Sequence, residues 1–192
     1  MRLVLLGAPG SGKGTQAARL REHLQVPHIS TGDLLRAEVA AQSPLGIEAK
    51  EVMARGELVS DAILLGMLQD RFSRPDTDGG FILDGYPRNL AQADALGQLL
   101  ERMGQPMDHA VCLEVPTEML VERIAGRAQA EGRADDTPES VRTRLKIYTD
   151  STAPVVEYYR QHGQLKVVDG VGGQDEVFNR ILDTIAPVRE VG

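Results

Sequence analysis

GAPGSGKGT, Gly7 to Thr15, is the stretch whose reading decides the fold of this chain. It follows the apolar run Leu3-Val4-Leu5-Leu6, which reads as a buried strand, and runs into Gln16-Ala17-Ala18-Arg19-Leu20, which reads as a helix start. A phosphate chain needs several backbone N–H groups converging on it, and only a loop poor in Cβ atoms lets the main chain come that close. Gly7, Gly10, Gly12 and Gly14 supply that freedom, with Ser11 and Thr15 among them. The helix beginning near Lys13 points its positive end at the anion, and the Lys13 ammonium reaches the terminal phosphates as a mobile point charge. One position departs from the strict pattern G-x-x-x-x-G-K-[ST]: Gly14 stands where a magnesium-binding hydroxyl is expected, with Thr15 one place later. The reading is a nucleoside triphosphate site.

Composition narrows the remaining possibilities. A chain of 192 residues, 42% hydrophobic, fits one domain with a sizeable core and small insertions. The 28 acidic against 21 basic side chains give a net charge of −7, which repels a nucleic-acid backbone and argues against a general DNA or RNA binder. Leu3 to Leu6 is too short for a signal peptide, and no later apolar run approaches the ~18 residues of a membrane span. A single cysteine, Cys112, allows no internal disulfide and no cysteine zinc cluster, and reads as a small buried strand residue. The expectation is a cytoplasmic protein with no membrane partner.

Outward from the glycine loop, strand and helix patterns alternate. Val26 to Ile29 reads as a second strand, Ser30 caps a helix over about 31–41, and another follows over about 45–55 after Ser43-Pro44. Gly56 ends it, and Ser60-Asp61 caps a helix with Ile63, Leu64, Met67, Leu68 and Phe72 at core-facing spacing. Gly79 to Asp84 is a strand, about 89–103 a helix, His109 to Val115 a strand, and Pro116 opens the next helix. The polar stretch Ala128 to Asp136 reads as a loop or flap outside the core. Pro138 starts a long helix that Pro154 kinks; Leu165 to Asp169 is the last strand, and a helix with Val177, Ile181, Leu182 and Ile185 closes the chain. Such alternation requires crossovers, so the fold class is α/β with a parallel sheet and helices on both faces.

Further chemistry gathers at strand ends and around the flap. Asp84, in Asp84-Gly85-Tyr86-Pro87-Arg88, stands at the carboxyl end of a strand, where open α/β sheets place ligands; it can hold magnesium directly or through water. Arg88 just beyond suits bidentate phosphate binding. Arg123 and Arg127, four apart on a helix, share a face at the flap's entrance; Arg133 lies in the flap, and Arg142 and Arg144 leave it. His23, His28, His109 and His162 read as structural or surface residues.

Taken together, GAPGSGKGT, STGDLLR (Ser30 to Arg36), ARGELV (Ala54 to Val59), DGYPR (Asp84 to Arg88), RIAGR (Arg123 to Arg127) and GRADD (Gly132 to Asp136) resemble an adenylate kinase over essentially the whole chain. The resemblance accounts for Gly14, since that family's loop commonly reads GKGT and holds its magnesium largely through water. It implies a three-layer P-loop NTPase fold with a five-stranded parallel sheet, a nucleoside-monophosphate-binding insertion over about 30–59 and a lid over about 126–136. The lid is the short form, without the cysteine-ligated zinc of longer relatives. Carried over by position, Gly10, Ser11, Gly12, Lys13, Gly14 and Thr15 hold the ATP phosphates. Arg123 closes against the ATP adenine, Arg127 against its phosphates, and the Gly172 backbone touches the adenine. Thr31, Arg36, the backbone of Glu57, Leu58 and Val59, then Gly85, Tyr86, Pro87, Arg88 and Gln92 hold AMP. Arg133 and Arg144 clamp the phosphates being joined, and Asp135 and Asp136 pair with arginines in the closed lid.

The implied reaction is ATP plus AMP giving two ADP with Mg²⁺, by a monomer, with Lys13, Arg88, Arg127, Arg133 and Arg144 as the catalytic cations. The nearest rival is a UMP/CMP kinase: Thr31 and Gln92 favour AMP, where pyrimidine enzymes tend to carry Ala and Asn, while Asn89 leans the other way. A nucleotide-gated switch is the rival from another class, and it would not need a second phosphate site.

Overall fold

The computed structural model describes residues 1–55, 57, 59–131 and 137–186. In chain order the elements are β1 (Arg2–Leu6), α1 (Lys13–Leu24), β2 (His28–Ser30), α2 (Thr31–Ala40), α3 (Pro44–Ala54), α4 (Asp61–Phe72) and β3 (Phe81–Asp84). There follow α5 (Leu90–Arg102), β4 (His109–Glu114), α6 (Thr117–Glu131), α7 (Pro138–Ile147), a π-helical turn (Tyr148–Thr152), α8 (Ala153–Gln161), β5 (Leu165–Asp169) and α9 (Gln174–Ile185).

All five strands are parallel, in the order β2-β3-β1-β4-β5. Because side chains alternate across a strand, β1 feeds two cores at once. Val4 and Leu6 face one layer with Ile29, Leu83, Cys112, Leu96 and Val155. Leu3 and Leu5 face the other with Ala17, Leu20, Val111, Ile181 and Ile185. Each of these leucines is at most 3% exposed, and burying one contributes about 1.5–3 kcal/mol. The three-layer architecture expected from the alternation is therefore the observed one.

Local chemistry sets most element boundaries. Ser30 Oγ accepts from Asp33 N at 3.4 Å to cap α2, Ser60 Oγ does the same for Ile63 N at 3.4 Å, and Asn89 Oδ1 accepts from Gln92 N at 2.9 Å. Thr137 Oγ1 caps α7 through Ser140 N at 3.2 Å. The strands read from Gly79 and to Val115 are shorter by two residues and one, and four further differences have a local cause. Val26 and Pro27 precede β2, since a proline has no N–H for the ladder. Pro116 precedes α6, its carbonyl accepting from Met119 N and Leu120 N. Residues 128–131 extend α6 instead of starting a flap, because Ala, Gln and Glu are good helix formers whatever their polarity. Pro154 falls in the first turn of α8, after a π turn: a proline cannot donate to the helical ladder, and the wider turn absorbs the break.

The expected glycine stop at Gly56 and the flap core 132–136 lie outside the described residues. No helix among the described residues is long and apolar enough to cross a membrane.

Candidate functional site

Register brings the site together at the carboxyl ends of the strands. Leu5 pairs with Asp84 and Ser30 with Asp84, so the glycine loop after β1, the DGYPR segment after β3 and the start of α2 share one rim. Above that rim lies a cleft of about 1370 Å³. Its walls carry seven Lys and Arg side chains (Lys13, Arg36, Arg55, Arg88, Arg123, Arg127 and Arg144) against four Asp and Glu. That balance inverts the chain's net charge of −7, so the cations are concentrated where a polyanion would sit.

The cradle is built as the glycines require. Gly12 caps α1 in the left-handed region at φ 96°. Gly10 has φ 83°, and a Cβ there would lie 2.8 Å from Ile124 Cγ1, so the loop can seat against α6 only as glycine. Gly14 differs from expectation: it lies in the first turn of α1 with open space where a side chain would be, and supplies no special loop conformation. Ser11, Gly14 and Thr15 line the cleft beside it.

Lys13 Nζ donates to Gly7 O at 2.9 Å. Burial lowers its pKa; Asp84 opposes that shift, while Arg88 and Arg127 add to it. Asp84 is pushed up by burial, but its contact with His28 and the charges of Lys13 and Arg88 outweigh this and hold it below the usual carboxylate range. Burial also lowers the Arg88 pKa, with Asp84 opposing and Arg144 assisting. Arg88 Nε donates to Gly85 O at 2.9 Å.

Asp84 fits a hydrated divalent cation. It is an ionised carboxylate at the floor of the cleft, with His28 Nε2 3.6 Å from Oδ2. Among the described residues no three His, Cys, Asp or Glu converge, so an ion there would take waters and phosphate oxygens for its other ligands, as Mg²⁺ prefers.

A second stretch of the cleft wall holds Arg36, Glu57, Gly85, Tyr86, Pro87, Arg88 and Arg144. Arg36 pairs with Asp33, and Arg55 Nη2 with Glu57 Oε2 at 3.2 Å. Thr31, Val59 and Gln92 lie behind this wall, at most 5% exposed. Thr31 Oγ1 donates to Gly85 O at 3.2 Å. Gln92 Oε1 accepts from Arg88 N at 2.7 Å and its Nε2 donates to Asp61 Oδ1 at 2.7 Å. Leu58, Arg133, Asp135 and Asp136 lie outside the described residues.

Arg127 and Gly172 face the cleft as well. Arg123 does so too, but its guanidinium is a strap: it donates to Ser11 O at 3.3 Å and Gly170 O at 3.0 Å, tying the cradle to the loop after β5. A sequence pattern showed Arg123 on the right face without showing its partners. His28, read as structural or surface, proves to line the cleft beside Asp84, and Thr143, Tyr148 and Thr152 line it as well. Only the pairing of β2 with β3 sets His28 against Asp84, and a single sequence carries no register.

The family model described as "Adenylate kinase" matches residues 5–164. The chain belongs to the adenylate kinase family. It is 71% identical over 181 residues to an adenylate kinase of Xanthomonas campestris pv. campestris (strain B100), covering 94% of this chain and 97% of that one. An adenylate kinase of Xanthomonas euvesicatoria pv. vesicatoria (strain 85-10) is 70% identical over the same shares. One of Xylella fastidiosa (strain 9a5c) is 68% identical over 182 residues, 95% of this chain and 97% of its own length. ATP:AMP phosphotransfer is thus the activity of the chain.

Proposed function

We propose that MgATP lies in the cradle half of the cleft and AMP in the half walled by Arg36 and Arg88, gripped end to end for the reaction ATP plus AMP to two ADP. One observation carries this division: cradle and arginine wall open into a single cavity of about 1370 Å³, above the ~300–1,000 Å³ of a site for one small ligand.

An acceptor phosphate is already an anion at neutral pH and needs no general base. What remains is to hold two polyanions in line and neutralise charge spread over the moving phosphoryl group. Lys13, Arg88, Arg127 and Arg144 converge for that purpose, with Arg133 joining them from the lid; removing one that touches the moving group costs about a thousandfold in rate. A Mg²⁺ ion, held through water by Asp84, supplies charge neutralisation at the triphosphate. Arg123, Gly172 and the residues Gly10 to Thr15 serve ATP. Thr31, Glu57, Leu58, Val59, Gly85, Tyr86, Pro87 and Gln92 shape the AMP side within an insertion over 30–59 and the segment after β3. The short lid over 126–136 excludes water when both nucleotides are bound, so opening can limit turnover. The reading takes the protein as a cytoplasmic monomer without structural zinc.

A panel of AMP, UMP, CMP and GMP assayed with MgATP tests the acceptor. AMP is expected to turn over well above the others. Faster turnover of CMP overturns the assignment.

A further inference from the structure

Thr152 belongs to none of the motifs that mark the site, yet it closes the π-helical turn between α7 and α8 and is 9% exposed. Its Oγ1 donates to the backbone carbonyl of Arg88 at 2.7 Å. The backbone N–H of the same arginine donates to Gln92 Oε1 at 2.7 Å. Arg88 is therefore held at both backbone polar atoms, by side chains from two different elements.

The π turn explains how Thr152 reaches it. At 3.6 residues per turn, positions eight apart drift about 80° around a regular helix. A wider turn takes back part of that drift, so Arg144, Tyr148 and Thr152 all line the cleft. The hydroxyl thus links the segment carrying Arg144 to the loop carrying Arg88.

We propose that Thr152 is a positioning residue for the acceptor side: its hydroxyl fixes the Arg88 backbone, and through it the guanidinium that receives the acceptor phosphate. This rests on the reading of Arg88 as a ligand of that phosphate. A part-buried carbonyl left without its donor moves to find another, and small displacements of a phosphate clamp are costly to rate.

The test compares T152V, which replaces the hydroxyl by a methyl of similar size, with T152S, which keeps it. Steady-state rates are measured with AMP varied at saturating ATP and with ATP varied at saturating AMP. For T152V, kcat/KM for AMP is expected to fall about tenfold while KM for ATP stays within about twofold. T152S is expected to keep at least about half of the parent kcat/KM. Equal losses in T152V and T152S, or equal losses toward both nucleotides, or no loss in T152V, overturn the proposal. If T152V does not fold by circular dichroism, T152A takes its place against T152S with the same criteria. R88A separates this inference from the reading beneath it. If R88A raises KM for AMP and T152V changes nothing, the role of Thr152 alone fails; if R88A leaves KM for AMP unchanged, the acceptor site itself is wrong and Thr152 falls with it.

Discussion

Replacing Arg123 by alanine removes the strap between the cradle and the loop after β5, and the structure sets the size of the loss. Its two hydrogen bonds go to Ser11 O at 3.3 Å and Gly170 O at 3.0 Å. The first is near the end of the useful range; the second is ordinary. A charged donor contributes about 1.5–3 kcal/mol in good geometry and less when stretched or solvated, so the pair together is worth about 2 kcal/mol. If those bonds hold the two loops ready for ATP, R123A must reorganise them on binding, and ATP affinity falls about 30-fold. Calorimetric titration with ATP alone and AMP alone avoids turnover and reads the two halves separately. AMP affinity is expected to stay within about twofold, and R123K, whose single ammonium cannot fork to both carbonyls, to recover less than half of the lost free energy. An ATP affinity within about threefold of the parent, or an equal loss for AMP, refutes the strap. A loss far above a hundredfold would show that the guanidinium, besides strapping the loops, itself touches the nucleotide.

Three other outcomes follow from the same structure. G46A should destabilise the fold by about 3 kcal/mol or more, because a Cβ there would lie 2.0 Å from Glu38 O where α3 meets α2; thermal melting checks this, and an unchanged midpoint contradicts the packing. Burial pushes the Cys112 thiol up to about 11 and the Tyr86 and Tyr148 phenols up to about 12. The folded chain then keeps protons that the unfolded chain releases near the ordinary values of 9.0 and 10.0. Their contribution is complete below pH 9 and is lost as pH rises toward 11 to 12, so urea midpoints measured from pH 8 to 11 should fall above pH 9, whereas a flat profile would contradict it. D84N removes the carboxylate proposed to orient hydrated Mg²⁺, and the Mg²⁺ concentration giving half-maximal rate should rise about 10- to 100-fold; an unaltered magnesium titration would free Asp84 of that role.

Several parts of this molecule were legible from local chemistry. The glycine loop between an apolar run and a helix, the caps at Ser30, Ser60 and Asn89, and the alternation of strand and helix all depend on neighbours a few residues away. Polarity misled the reading at 128–131, where a helix end built of good helix formers has the polar composition of a loop. Gly14 was credited with loop freedom that its place in the first turn of α1 does not use. Thr31 and Gln92, expected with the Val59 backbone to hold AMP, are buried and bond to the segment carrying Gly85 and Arg88, a pairing that no local pattern shows.

What the order of residues determined by itself is the set of parts: a cradle for phosphates, an aspartate at a strand end, and arginines enough to meet a polyanion. What the tertiary structure alone decided is which of them act on each other. His28 reaches Asp84 through strand register, Arg123 straps two loops 47 positions or more away, and Thr152 meets the Arg88 carbonyl across 64 positions. The physical reason is that helix and strand signals are carried by short-range periodicity, whereas a hydrogen bond between distant segments depends on how whole elements pack, and one chain carries no periodic trace of that.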